Sequence, residues 1–480
     1  MTRFIGRTEE LKELKNLLNR KTASLVVLKG RRRIGKSRLI EEFAKGETFY
    51  VISGIPPTPE TTQQSQLDEF ARQMHLQTGL PEVKADDWSK LFVLLYEKIK
   101  TGRVIVLFDE ISWMGSKDPD FLGKLKNAWD LYYKKNPQLI LVLCGSVTSW
   151  IEENIVSNTG FLGRPSLYMT LEELSLDECD QFWNKHADEI SAFEKFKILS
   201  VTGGVPRYLE LINPKLPAEE NIRQLCFSKN GPLVNEFEHI FSNIFSQRSE
   251  IYKKIVQQIV HKPLMAEELA ESVGLTRTGQ FDDYLNDLVL SGLVARDYTW
   301  HINTVETSKL SQYRLKDNYI RFYLKYILPN KIKIEKNRFK DFSLGLLSGW
   351  ETIMGLQFEN LVLNNHAEIH KILAIKSEDV VFDNPYFQRT TTRYQGCQID
   401  YMIQTRFDNL YICEVKFSKN PIGVKVISEV KEKIKRLKMP RHISRRPVLI
   451  HVNGVTDETL EANYFANIID FGNLLSNKMV

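Results

Sequence analysis

The segment Gly30-Arg31-Arg32-Arg33-Ile34-Gly35-Lys36-Ser37 decides the fold of the first part of the chain. It fits the phosphate-binding pattern GxxxxGK[ST] at every fixed position. Residues 24–29 before it have the composition of a buried strand, and residues 38–44 after it have helical apolar spacing. A glycine loop between a strand and a helix gathers backbone N–H groups at a positive helix N-terminus. The segment therefore predicts a site for a nucleoside triphosphate.

Each residue of this loop has an expected task. Gly30, Arg33 and Gly35 are expected to surround the phosphates. Lys36 is expected to reach the β- and γ-phosphates, and the Ser37 hydroxyl to bind Mg²⁺.

The magnesium ion also needs an acidic partner at the end of a second buried strand. The apolar run at residues 104–108 ends in Asp109 and Glu110. We expect Asp109 to hold Mg²⁺ through water and Glu110 to polarise the attacking water. The competing interpretation is a core strand that ends in a solvated acidic pair, which the phosphate-binding loop makes the weaker one.

Two polar positions follow other apolar segments. Ser146 comes directly after the strand-like run at residues 139–144, where its hydroxyl is expected to sense the γ-phosphate or the attacking water. Arg164 is a candidate arginine for the γ-phosphate, supplied in cis or from a neighbouring subunit. Taken alone, an arginine in such a segment is more often a surface residue.

The bulk composition sets outer limits. The 480 residues are 42% hydrophobic and 26% charged, and the formal charge of +5 implies no polyanion by itself. No apolar run approaches the roughly 18 residues of a spanning helix, so no membrane segment is expected. The five cysteines show no CxxC spacing, and no signal peptide is evident, which favours a reduced, cytoplasmic location.

The order of these segments resembles a known family. With Phe4-Ile5-Gly6-Arg7 before them and Gly203-Gly204-Val205-Pro206 after, residues 1–240 resemble the prokaryotic archaeal-ATPase group of STAND-type NTPases, relatives of AAA+ proteins. The resemblance implies that Phe4 and Arg7 lie near the adenine and that Ser146 is the sensor. It also implies that Gly204 and Pro206 begin a helical lid that reads the nucleotide. Such proteins act as nucleotide-controlled switches rather than fast motors.

The middle of the chain changes pattern. Helices are expected at residues 252–260, 265–274 and 281–289, followed by a strand pair from 292 to 315, which is the order of a winged helix-turn-helix. The third helix carries Asp282, Asp283 and Asp287, and carboxylates oppose a phosphate backbone. Thr276 and Arg277 offset this only in part. Packing or partner binding is therefore favoured over reading of DNA bases.

The last part of the chain contains a second set of acidic and basic residues. Glu-x-Lys occurs five times, but only Glu414-Val415-Lys416 ends a run with the composition of a buried strand. Residues 397–403 form another expected strand, a turn is expected at 406–409, and Asp400 is able to lie beside Glu414. Two carboxylates can hold divalent metal ions such as Mg²⁺, and Lys416 can position or deprotonate a water that attacks a phosphodiester.

This constellation resembles the PD-(D/E)xK nuclease fold, with Ile399-Asp400 in place of the literal Pro-Asp. That fold also places an inward glutamate on a helix before the sheet, which Glu359 in residues 355–362 matches. The basic helix at residues 425–438 would suit a DNA backbone, although charge runs are usually solvated faces. The alternative is an alternating strand with charged residues on a solvated face.

Taken together, the sequence predicts an α/β protein in three parts. Residues 1–240 form a P-loop NTPase with a parallel sheet and a helical lid, 241–330 a winged helix-turn-helix, and 341–480 an α/β PD-(D/E)xK nuclease-like domain, with the basic segment 331–340 as the boundary.

The leading hypothesis is an ATP-binding and ATP-hydrolysing switch that controls a metal-dependent nuclease site acting on DNA or other nucleic acid, a combination that suits defence. The alternative is a nucleotide-regulated DNA- or protein-binding module whose C-terminal domain is catalytically inactive. A transcriptional regulator is a third hypothesis, based only on the winged helix. A homo-oligomer is expected if Arg164 completes the site of a neighbour.

Overall fold

The structure is a computed structural model that describes residues 3–245, 249–392 and 395–476. The chain folds into two compact units. The first comprises Met1–Glu172 and His239–Ser249, and the second comprises Glu173–Glu238 and Glu250–Val480. Residues 173–238, called the lid segment below because they contain the turn at Gly204, share one unit with the hairpin and the C-terminal sheet. The three-part division at 240, 330 and 341 therefore stays a prediction.

The first unit is built on a five-stranded parallel sheet. Its strands are β1 (Ser24–Gly30), β2 (Thr48–Ser53), β3 (Val104–Asp109), β4 (Leu139–Gly145) and β5 (Leu167–Leu171), in the order β2-β3-β4-β1-β5. The α-helices are Thr8–Leu17, Lys36–Phe43, Gln63–Thr78, Trp88–Ile99, Ile111–Met114, Phe121–Leu131 and Thr148–Ile151.

Both faces of this sheet are covered at its centre, which explains why the central strands β1, β3 and β4 are mostly continuous apolar runs. Leu25 and Val27 of β1 belong to one buried cluster, whereas Val26 and Leu28 belong to the cluster on the opposite face. Because the strands are parallel, their carboxyl ends meet at one edge, which is where ligands bind in open α/β sheets. The strand order places β4 between β1 and β3 at that edge.

The second unit begins with helices and a hairpin. The helices are Leu176–Asp180, Ala192–Thr202, Pro206–Leu209, Ala218–Cys226, Ser249–Gln258, Ala266–Ser272, Gly279–Leu290, Asn318–Phe322 and Lys331–Glu335, with Glu236–Phe245 crossing the boundary between the units. The hairpin is formed by β6 (Val294–His301) and β7 (Glu306–Leu315), which are antiparallel. The basic segment 331–340 is no extended linker, because it contains a helix and its Ile334 and Phe339 are buried.

A second, mixed sheet closes the chain. Its strands are β8 (Val380–Gln388), β9 (Cys397–Thr405), β10 (Asn409–Val415), β11 (Ser444–His451) and β12 (Asn467–Asp470). Their order is β12-β11-β10-β9-β8, in which β9 is antiparallel to both of its neighbours, β8 and β10, and the pairs β10–β11 and β11–β12 are parallel. The helices are Trp350–Asn364, His366–Ile372, Lys425–Arg436 and Asp457–Glu461. Within the described residues, no helix is long and apolar enough to cross a membrane.

The hairpin is attached to this mixed sheet. The indole Nε1 of Trp300 donates to Oε1 of Gln404 at 2.6 Å, and Nε2 of Gln404 donates to the carbonyl of Ile302 at 2.9 Å. The Trp300 ring also stacks on Phe382, with 5.1 Å between ring centroids. Trp300 is thus part of the C-terminal core, and this end of the hairpin is not a free wing.

We expect Trp300→Ala to destabilise the second unit by about 3–5 kcal/mol, because it removes a buried aromatic side chain and leaves Gln404 without its donor. Tyr298→Ala is the control, since Tyr298 lies on the same strand but is 39% exposed. Its cost should stay below about 1 kcal/mol. Urea unfolding followed by circular dichroism measures both, and equal losses would contradict the burial of the hairpin.

Candidate functional site

The phosphate-binding loop has the backbone of an anion cradle. Gly30, Arg33 and Gly35 have φ of 153°, 70° and 91°, and the helix begins at Lys36. A Cβ atom at Gly30 would lie 2.6 Å from the carbonyl oxygen of Leu171, so only glycine fits beside β5. The Lys36 ammonium donates to the carbonyls of Gly30 at 2.9 Å and Arg31 at 3.1 Å. Lys36 therefore holds the loop by hydrogen bonds to two of its carbonyl groups.

The polar residues after β3 and β4 meet at the edge of the sheet. Ser37 Oγ donates to Asp109 Oδ2 at 2.7 Å, which puts a hydroxyl and a carboxylate side by side, the donor pair that suits Mg²⁺. Glu110 Oε2 accepts from the hydroxyl of Ser146 at 2.9 Å and from its N–H at 3.1 Å. Glu110 has φ of 50°, an uncommon backbone for a residue other than glycine. The predicted carboxylate and the predicted sensor are thus in direct contact.

Phe4 and Arg7 support the loop. Phe4 packs against the buried cluster on one face of the sheet. Arg7 is buried and donates to the carbonyls of Ile34 at 3.1 Å and Glu172 at 2.6 Å. Through Ile34, Arg7 holds the loop backbone, a structural task that the resemblance did not imply.

In the C-terminal sheet, the strand pair β9–β10 brings the two predicted carboxylates together. Asp400 Oδ2 accepts from the N–H of Val415 at 2.9 Å. Glu414 is buried, and its Oε1 lies 2.9 Å from the Lys416 ammonium, as the predicted pairing requires. Its Oε2 lies 2.6 Å from the ammonium of Lys433, which also lies 3.5 Å from Asp400 Oδ1. Two lysines therefore neutralise this acidic pair.

Glu359 lies behind Asp400 in a cavity that both residues line together with Arg314, Arg321 and Gln398. Burial, followed by the charge of Asp400, raises the pKa of Glu359 to about 8. Burial, followed by the charge of Glu414, also raises the pKa of Asp400. This raised pKa favours the neutral form of Glu359, which limits the negative charge that it adds beside Asp400.

Asp400 and Glu414 can hold one divalent cation only when the Lys433 ammonium leaves them. In the described part of the chain, no group of three or more His, Cys, Asp or Glu residues is placed to hold a metal ion. Asp400 and Glu414 supply the hard oxygen donors that Mg²⁺ or Mn²⁺ prefers. A cation already stands between them, the Lys433 ammonium, so a divalent ion must take its place.

Comparison with known proteins agrees with the geometry of the first unit. Residues 4–212 match the family model of an ATPase domain predominantly from Archaea. The Walker-type ATPase PABY2304 of Pyrococcus abyssi has a similar fold, with a TM-score of 0.50, 17% identity, and coverage of 67% of this chain and 96% of that one. The N-terminal part of this chain is a P-loop ATPase domain.

Two further proteins are similar to this chain. The uncharacterized protein MJECL04 of Methanocaldococcus jannaschii is 25% identical over 371 residues, which cover 77% of this chain and 78% of that protein. The ORC2 protein of Aeropyrum pernix is 14% identical, with a TM-score of 0.41 and coverage of 71% of this chain and 98% of that one.

Arg164 and Pro206 were also predicted to contact the nucleotide, and the structure places both in other local surroundings. Arg164 forms a two-pronged ion pair with Asp130, with distances of 2.8–3.2 Å. Pro206 begins the short helix Pro206–Leu209 in the second unit, after the turn in which Gly204 donates its N–H to Glu173 Oε2 at 3.0 Å. A role of Arg164 or Pro206 at the nucleotide stays a prediction.

Lys433 and Glu429 are site residues that were not singled out from the sequence. Glu429 lies 3.2 Å from the ammonium of Lys416. Both belong to the basic helix Lys425–Arg436, whose buried stripe is Val426, Ile427, Val430 and Ile434. Glu429 and Lys433 are four residues apart and border this stripe, so both side chains lie on one side of it. That spacing was the available signal.

We expect Arg164→Ala to destabilise the ATPase domain by about 1 kcal/mol, because the partly buried Asp130 carboxylate loses its two-pronged partner and keeps only Lys126 and Lys134, at 3.2 and 3.4 Å. The Arg164 guanidinium lowers the pKa of Asp130 to about 2. This contribution is present above the unfolded pKa of about 3.9 and is lost as the pH falls toward 2. Thermal unfolding of Arg164→Ala, Asp130→Ala and the double variant at several pH values measures it.

The double variant should lose little more stability than either single one, since all three remove the same pair. An Arg164→Ala protein with unchanged stability and abolished ATP hydrolysis would contradict this structural role and assign Arg164 to the γ-phosphate.

Proposed function

We propose that this protein is an ATP-driven switch whose nucleotide state controls a metal-dependent nuclease site acting on nucleic acid. The ATPase domain supplies the nucleotide chemistry, and the mixed sheet of the second unit supplies the second site. The observation that carries the proposal is the proximity of Asp400 on β9, Glu414 on β10 and Lys416, which directly follows β10.

In the ATPase domain, each residue has a role that its contacts support. Lys36 exchanges its carbonyl partners for the β- and γ-phosphates, and Ser37 and Asp109 would hold Mg²⁺, which neutralises the phosphate charge. Glu110 orients the attacking water. Its present partner is the Ser146 hydroxyl, so movement of this serine toward the γ-phosphate would release the carboxylate for that task.

In the mixed sheet, Asp400 and Glu414 would hold the divalent ion, which polarises the scissile phosphate and lowers the pKa of a bound water. Lys416 stands on the exposed side of Glu414, with its side chain 34% exposed. Its ammonium is held by Glu414 and Glu429, so its position is set before a substrate arrives. From there it can orient the water that attacks the phosphodiester.

A groove next to these residues supports nucleic acid as the substrate. It is open to solvent and is lined by Arg389, Lys433 and Arg436 along with Gln388 and Gln398. Positive side chains along an open groove are the usual means of holding a phosphate backbone.

The helix Gly279–Leu290 does not add a base-reading surface. Arg277, the cation at its start, is paired with Asp282 at 3.0 Å and with Glu267 at 2.5 Å. This pairing leaves the acidic side chains of the helix dominant, which supports packing rather than DNA reading.

Control by the nucleotide is supported by contacts between the lid segment and the helix Trp350–Asn364. Glu173 accepts from Gly204 at 3.0 Å, in the turn that the resemblance assigns to reading the nucleotide, and from Asn364 at 3.5 Å. Glu359 lies on the same helix as Asn364. A movement of the turn can therefore displace the helix that carries this carboxyl.

A second connection between the lid segment and the nuclease-like site is aromatic. Phe417 directly follows Lys416 and stacks on Phe193, in the helix Ala192–Thr202 of the lid segment, with 4.8 Å between ring centroids. Phe417 also packs on Phe358, the neighbour of Glu359, at 5.1 Å. Phe417 therefore connects Phe193 to two predicted catalytic residues. Lys416 precedes Phe417 in the sequence, and Glu359 follows Phe358.

The proposal is tested by cleavage of plasmid and linear DNA with Mg²⁺ or Mn²⁺, with and without ATP. We expect cutting by the wild type and loss of cutting in Lys416→Ala, because the water loses its positioning group. Lys419→Ala is the matched control, since Lys419 is exposed three residues further on. Cutting that survives Lys416→Ala would show that the nuclease site is elsewhere.

Two variants of the ATPase domain test whether the nucleotide controls cutting. Glu110→Gln is expected to bind ATP without hydrolysing it and to hold the protein in one state, whereas Lys36→Ala is expected not to bind ATP. The two should differ in cutting in the presence of ATP. Identical cutting by both variants and the wild type would contradict nucleotide control while leaving the nuclease in place.

We expect Phe417→Ala to weaken the effect of ATP on cutting by about fivefold or more, because it removes the ring shared by the lid and the site. Phe407→Ala is the control, since Phe407 lies at the turn of the same strand pair and is 62% exposed. The readout is the ratio of cutting rates with and without ATP. An unchanged ratio would show that the nucleotide signal does not pass through Phe417.

The second candidate is a nucleotide-regulated binding module whose C-terminal site has no chemistry. The Lys433 ammonium between Asp400 and Glu414 favours it, because two lysines already balance the two carboxylates. Nucleotide-dependent DNA binding without cutting in any nucleotide state or metal would establish this function instead.

A further inference from the structure

We propose that Lys433 is an internal counter-cation that keeps the divalent-metal site closed until a phosphate in the adjoining groove draws its ammonium away. The inference rests on the proposed function, since it concerns the same carboxylates. Its basis is the position of the Lys433 ammonium, 2.6 Å from Glu414 Oε2 and 3.5 Å from Asp400 Oδ1.

The two lysines of the site differ in how they are held. Lys416 binds Glu414 Oε1 and is also anchored by Glu429 at 3.2 Å, on the outer side of the site. Lys433 lies between the buried Glu414 and the partly buried Asp400, where it contacts Oε2 of Glu414 and Oδ1 of Asp400. A divalent ion that bridges these oxygens needs the space of the Lys433 ammonium, and two cations cannot share it because like charges repel at contact distance. Metal binding and Lys433 binding therefore exclude each other.

Lys433 has an alternative place to go. Its side chain is 29% exposed and lines the open groove together with Arg389 and Arg436. The ammonium of a lysine is carried on a flexible chain of four carbons. It can therefore turn from the carboxylates to the groove while the helix Lys425–Arg436 keeps its position. A phosphate in the groove would replace Glu414 and Asp400 as the anionic partner of the Lys433 ammonium.

This exchange makes metal binding and phosphate binding mutually reinforcing. Phosphate in the groove lowers the cost of removing Lys433 from the carboxylates, and metal on the carboxylates leaves Lys433 available for phosphate. Linkage requires both effects to have the same size. The protein without bound nucleic acid would then hold divalent ions weakly. The site would therefore not cleave a phosphodiester before a phosphate backbone occupies the groove.

The test is binding of Mn²⁺ to the full chain without nucleotide, measured by titration calorimetry and by the EPR signal of free Mn²⁺. Lys433→Met keeps the aliphatic stem and removes the charge, and it should bind Mn²⁺ about tenfold or more tightly than the wild type. Lys431→Met is the matched control on the same helix, where the Lys431 ammonium lies 5.1 Å from the ring of Tyr464. It should bind Mn²⁺ as the wild type does.

A second arm adds a phosphorothioate DNA duplex that resists cutting. In the wild type, the duplex should tighten Mn²⁺ binding by about tenfold, whereas in Lys433→Met it should add little. Glu414→Gln in the Lys433→Met background should abolish the gained Mn²⁺ binding, which assigns it to this site. Lys433→Gln and a thermal melt check the fold, since Mn²⁺ should raise the melting temperature of both Lys433 variants.

Equal Mn²⁺ affinity of the wild type and a folded Lys433→Met protein would overturn the inference, and so would the absence of Mn²⁺ binding in every variant. Tighter Mn²⁺ binding by Lys433→Met with no DNA cutting in any protein would sustain the inference while removing the proposed nuclease function.

Discussion

Buried polar groups that fix the helix Trp350–Asn364 are the constraint on which the second unit depends. Arg321 is buried and donates to a carbonyl and to a side-chain amide of this helix at 3.1 and 3.2 Å. Asn360 donates to three oxygens of the segment before it at 2.9–3.1 Å. Each group would cost about 1–3 kcal/mol without its partner, so the helix cannot rotate freely. In this fixed rotation, Phe358 packs on Phe417 and Glu359 lines a cavity together with Asp400.

The ATPase domain keeps its site by a different means, which is backbone held in uncommon conformations. Arg7, Arg33 and Glu110 all have positive φ, and such residues persist only where the surroundings hold them. Arg7 is held by two carbonyls, and the Glu110 carboxylate is held by Ser146. Protein contacts thus fix the backbone at this edge of the sheet, and a fixed backbone is one condition for electrostatic catalysis of phosphoryl transfer.

The phosphate-binding loop and the Asp400–Glu414 pair were predictable from local patterns. Both depend on strand runs and short spacings, and the period of two along a strand then decides which residues share a face. The roles of Lys433, Trp300 and Arg164 were not predictable, because each depends on a partner that is distant in the sequence. A charge run does not reveal which of its members meets a buried carboxylate, nor does a hairpin pattern reveal the surface on which it packs.

The central claim is that the nucleotide state reaches the helix that carries Glu359. Hydrogen–deuterium exchange of the full chain with ADP and with a non-hydrolysable ATP analogue measures this directly, using Lys36→Ala as the control that should not respond. The account predicts that the two nucleotides give different exchange in residues 350–364 and 409–418 of the wild type, and none of this difference in the variant. Differences confined to the loop around Lys36 and to the ends of β3 and β4 would contradict it.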